Sequence, residues 1–73
     1  MKQHSEKKTE QAVCLLLQTI ERNLQDIGTI LNEYEETHDD SECGQSRQYA
    51  ALTAGQFALE EAKYKINYQL NKK

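Results

Sequence analysis

Four residues past the middle of the chain, Ser46, Arg47, Tyr49 and Thr53, are of the types that hold a phosphorylated nucleotide. A guanidinium grips phosphate oxygens through charge-assisted hydrogen bonds, a phenol ring stacks on a base, and hydroxyls and the first amides of a helix satisfy an anion. A helix starting at Ser46 would bring all four toward one end of the hairpin. The plainer use of Arg47 is an ion pair with nearby acids.

Other chemistry is poorly supplied. His38, Asp39, Asp40, Glu42 and Cys43 are metal-ligating types in one stretch, yet they lack the paired spacing of a zinc site and the glycine-centred pattern of a calcium loop. They read as a solvated acidic turn. His4 stands alone near the N-terminus. Catalysis needs a nucleophile beside a base, or two carboxylates facing one cleft; Glu60 and Glu61 are neighbours on a helical stretch and point in different directions. The expectation is a protein with no catalytic residues, no metal and no cofactor.

The elements that would position the four residues are helical. Proline is absent, glycine occurs three times, and Gln, Glu, Lys, Leu and Ala are abundant. Val13, Leu17, Ile20, Leu24, Ile27, Leu31 and Tyr34 step by four and three, the repeat of a left-handed helix pair, with Leu16 and Ile30 widening one side. Gly28 interrupts that helix, either for a close contact or because it is tolerated. The stretch from Glu35 to Gly44 ends the pattern and reads as a turn, with Ser41 or Ser46 capping the next helix. Residues 1–8 read as a frayed, solubilising lead-in, with Ser5 or Thr9 as the first cap. The basic tail of Lys72 and Lys73 suits a helix C-terminus.

The second helix has three apolar faces. Tyr49, Leu52, Leu59, Ile66 and Leu70 form one, interrupted by Gln56 and Lys63; Ala51, Gly55, Ala58 and Ala62 form a second of small residues only; Ala50, Ala54, Phe57, Tyr64 and Tyr68 form a third, with Glu61 as its one charge. One partner helix covers one such face. The small stripe either receives the first helix within the monomer or lies between subunits. Chains of this size bury only roughly 60% of their unfolded surface, so oligomerisation is the available source of further stability.

The expected fold is therefore all-α: a single domain over 1–73, an antiparallel two-helix hairpin with helix one at about 9–36, a turn at about 37–45 and helix two at about 46–70, oligomerising into a helical bundle. Ala51, Gly55, Phe57, Ala58, Ala62, Tyr64 and Tyr68 are the expected oligomer interface. A net charge of −3 gives no basic field for duplex nucleic acid. No apolar run approaches the roughly 20 residues of a membrane span, and no signal-peptide core follows the polar N-terminus. A cytoplasmic protein is expected. Cys14, about 35 Å of helix away from the turn that holds Cys43, cannot reach it. Cys14 is read as a small buried apolar residue and Cys43 as an exposed thiol.

The run Ser46-Arg47-Gln48-Tyr49-Ala50-Ala51-Leu52-Thr53, followed by Leu59-Glu60-Glu61-Ala62, resembles the second helix of the small phage proteins that sequester cyclic oligonucleotide messengers of bacterial anti-phage defence, the anti-CBASS and anti-Thoeris sponges. It covers about a third of the chain, with about one extra helical turn between the two segments, and the family's N-terminal ligand-contacting segment has no counterpart here. The resemblance implies homo-oligomeric hairpins that bind a cyclic oligonucleotide or a cyclic ADP-ribose type ligand between subunits without hydrolysing it, with Arg47 and Thr53 as nucleotide contacts. The alternative from the residues themselves is a small protein-protein interaction module, an inhibitor or adaptor using the exposed face of helix two.

Overall fold

Lys, Glu, Gln and Leu are good helix formers and dominate Lys2 to Thr37, where Gly28 is the one glycine and no proline occurs. The computed structural model describes residues 2–72, with side chains from residue 6, and is all-α over that range. Helix α1 spans Lys2–Thr37, α2 spans Asp40–Gln45 and α3 spans Arg47–Asn71. The lead-in expected to fray is the start of α1, so neither Ser5 nor Thr9 caps a helix; both lie inside one. Met1, Lys73 and the side chains of Lys2 and His4 lie outside the described residues.

The acidic stretch contains a helix that the periodicity does not announce. Asp39 accepts the amide of Glu42 at 2.8 Å, and the Glu42 carboxylate accepts the amide of Asp39 at 3.0 Å. This reciprocal capping box starts α2. Ser46 then serves both neighbours. Its backbone N–H donates to the Cys43 carbonyl and closes α2, while its hydroxyl accepts the Tyr49 amide at 3.1 Å and opens α3. Of the two serines considered for that cap, Ser46 is the one used.

The first of the three faces of α3 meets α1. Leu52, Leu59 and Ile66 are half-buried there, Lys63 bridges to Glu21 at 2.9 Å, and the Tyr49 hydroxyl donates to Glu35. As numbers rise along α3 its partners on α1 fall, so the two helices run in opposite senses. Leu70 shares a surface cleft with Val13 and Leu17, which places the end of α3 well short of the start of α1. With α1 about 54 Å long at 1.5 Å per residue, the molecule is a rod of 56 × 20 × 16 Å.

Only Ile20 and Leu31 are buried among the described residues, at 4% and 6% exposure. The rest of the α1 seam is half-buried. Cys14 is exposed and Cys43 half-buried, the reverse of the expectation. Cys14 sits one residue off the seam, about 100° round the helix from Val13, whereas α2 brings Cys43 within reach of the charge of Glu35. Nothing lies within 4 Å of a Cβ built on Gly28, so that glycine is tolerated rather than required by a contact. No helix among the described residues is long and apolar enough to cross a membrane.

Candidate binding surfaces

The start of α3 brings Ser46, Tyr49 and Thr53 together but not Arg47, which lies about 160° round the helix from Tyr49, and those three spend their polar groups within the fold. The Ser46 hydroxyl is the helix cap. Thr53 donates its hydroxyl to the Tyr49 carbonyl one turn back, at 2.9 Å. Tyr49 donates to Glu35 and lies 5.5 Å from Tyr34 between ring centres. Arg47 differs: it is exposed and makes no ion pair among the described residues.

Electrostatics here favour neutral or cationic neighbours. The hydrogen bond to Glu35 pushes the Tyr49 phenol up to about 12, aided by burial and by the charge of Glu35. Burial raises the Cys43 thiol, and the charges of Glu35, Asp40, Asp39 and Glu42 push it the same way. Those four carboxylates make the inner side of the turn a poor place for phosphate. The outward-pointing Arg47 is the cation an anion would meet.

Sequence reasoning missed a cluster beside this site. The Tyr34 and His38 rings stack at 3.8 Å with an interplanar angle of 6°, and His38 Nδ1 lies 3.0 Å from the Tyr34 carbonyl and 2.9 Å from the Thr37 hydroxyl. The signal was weak, since His38 stands four residues after Tyr34 but just past the end of α1, where helical spacing no longer decides which rings meet. Together with Tyr49 these rings fasten the turn to both long helices. Among the described residues no group of His, Cys, Asp or Glu is placed to hold a metal ion.

The remaining faces of α3 are bare. Phe57, Tyr64 and Tyr68 are 66%, 71% and 56% exposed, and Ala50 and Ala54 beside them are exposed too. A shallow depression runs between Tyr64, Lys65, Tyr68 and Gln69. Of the small stripe, Gly55 and Ala62 are half-buried at the margin with α1, while Ala51 and Ala58 are exposed. The main contact with α1 is thus made by the leucine face and not by the small one. A scan against family models gives no match, and neither curated proteins nor solved structures match the chain.

Proposed function

We propose that this chain is a non-catalytic binding module of the cytoplasm: a helical hairpin that works as an oligomer and offers the outer face of α3 to a partner helix. The observation behind this reading is the exposure of Phe57, Tyr64 and Tyr68, on the side of α3 turned away from α1. Aromatic anchors seven and four residues apart suit helix docking, since rings supply large apolar area while a hydroxyl stays wet. Total surface supports the oligomer. The chain exposes 6389 Å², against about 4,600 Å² for a globular monomer of its 8.4 kDa. The test is capture of a target by the wild-type protein, compared with Phe57→Glu and Tyr64→Glu. Both variants should lose the target while keeping their helical content; equal capture by all three proteins would sink the reading.

A second reading, messenger sequestration as in the phage sponges, draws on the exposed Arg47. In an oligomer, guanidinium groups from adjacent copies would gather around an anionic cyclic nucleotide despite the net charge of −3. Calorimetry against cyclic di- and trinucleotides and cyclic ADP-ribose isomers tests it. Arg47→Ala should weaken binding roughly ten- to hundredfold, the equivalent of ~1.5–3 kcal/mol for a charge-assisted contact. No heat with any ligand of the panel leaves the interaction module as the function.

A further inference from the structure

We infer that the outer face of α3 pairs with the same face of a second copy, antiparallel about a two-fold axis level with Leu59, so that Tyr64 and Tyr68 of each chain cover Ala54 and Ala50 of the other. This rests on the reading of that face as a helix-docking surface and names its occupant.

The face is a heptad seam. Ala50, Ala54, Phe57, Glu61, Tyr64 and Tyr68 step by four and three along α3, and every one of them is exposed. At about 100° per residue they centre on the side opposite Leu52, Leu59 and Ile66, which face α1. The seam changes character along its length: it is small where α3 starts and aromatic where α3 ends, with Phe57 between.

That gradient selects the antiparallel sense. In a parallel pair each residue meets its own copy, so the tyrosines would crowd one end, the alanines would leave a gap at the other, and Arg47 and Glu61 would each face a like charge. In the antiparallel pair every layer joins a large residue to a small or polar one: Ala50 with Tyr68, Ala54 with Tyr64, Phe57 with Glu61 and, at the limits, Arg47 with Asn71. The two-fold axis repeats each layer, as an isologous interface requires. Glu61 is the one acid in the seam. Lys65, one turn on, holds its carboxylate at 3.5 Å, leaving its methylenes to meet Phe57 of the second copy.

Charge along the rod is complementary in the same sense. From Glu33 to Arg47 stand Glu33, Glu35, Glu36, Asp39, Asp40 and Glu42, with Arg47 the one Lys or Arg among them, whereas the chain has no acid after Glu61 and carries Lys63, Lys65 and Lys72 there. The antiparallel register sets Lys72 level with Ser46 of the second copy, where α2 with its Asp40 and Glu42 joins α3. A parallel register would bring two acidic turns together.

Exchange of large for small provides the test. In sedimentation equilibrium the wild type should be a dimer. Ala54→Tyr puts a second ring into a layer that already holds Tyr64 and should raise the dissociation constant about tenfold or more through overpacking. Ala54 is exposed in the single chain, so helical circular dichroism should be retained. Tyr64→Ala empties the same layer and should weaken the dimer too. The double variant Ala54→Tyr with Tyr64→Ala restores one ring per layer and should return the constant to within about threefold of the wild type, a rescue that no effect on a single chain produces. Orientation is read separately. With Cys14→Ser and Cys43→Ser in place, a short bismaleimide should link Ala50→Cys chains to Tyr68→Cys chains in a mixture, but not Ala50→Cys chains to one another, whose thiols stand about 27 Å apart along the axis. A monomeric wild type, a double variant that does not recover, or self-linking of Ala50→Cys would overturn the assignment. A monomer that still captures a foreign target through Phe57 sinks this occupant alone, whereas equal capture by the wild type and Phe57→Glu sinks the outer-face reading itself.

Discussion

Tyr49 shows how one side chain is claimed by several tasks. Its amide is held by Ser46, its hydroxyl by Glu35, and its ring lies near Tyr34. A phenol that donates to a carboxylate holds its proton, which is why its pKa reaches about 12. The folded state therefore binds more protons than the unfolded state between about 10 and about 12. The contribution is complete below the unfolded value and disappears as pH rises through that window. In an ultraviolet titration one of the four tyrosines should ionise later than the rest, and Tyr49→Phe should remove that late phase. An unchanged titration curve in Tyr49→Phe would refute the assignment. The thiols give a second check at this scale. Exposed Cys14 should react with a disulfide reagent well before Cys43, which is half-buried and raised by neighbouring carboxylates. Because Cys14 is exposed, Cys14→Ala should be almost silent in stability.

At the scale of the element, α2 depends on its cap more than on its length. Six residues cannot sustain a helix by propagation alone, and the Asp39–Glu42 box supplies what propagation does not. Asp39→Ala should cost about 1 kcal/mol in urea denaturation, the usual value of such a cap. No change would mean that α2 is held by its contacts with the long helices instead. Gly28 in α1 offers the opposite sign. Open space surrounds it, so Gly28→Ala should stabilise by about 0.5–1 kcal/mol through helix propensity. A loss of stability would point to a neighbour at Gly28 from another chain.

For the whole molecule the governing fact is a thin core. With Ile20 and Leu31 the only buried side chains among the described residues of a rod 56 Å long, most of the seam stays half-wet. Under the proposed association, stability depends on concentration, so the melting temperature should rise with protein concentration by mass action. A melting temperature constant over a hundredfold range would mean that each chain stands alone. Salt offers little leverage on stability, since the Glu21–Lys63 and Glu61–Lys65 pairs are largely exposed and such pairs contribute little.

Much of this was legible from residue order. The seam from Val13 to Tyr34 and the three faces of α3 follow from the 3.6-residue period, because on a helix spacing alone decides which side chains share a side. The Asp39-x-x-Glu42 signature of α2 was legible too, although a six-residue helix shows no periodicity to draw attention to it. Which face of α3 meets α1 was not decided by order, since three apolar stripes compete and only the packed pair selects Leu52, Leu59 and Ile66. The same holds for the nucleotide-like quartet at Ser46 to Thr53. Residue types describe what a hydroxyl or phenol can do, but only the tertiary structure shows that caps and cross-helix bonds already occupy three of the four, leaving Arg47 facing solvent.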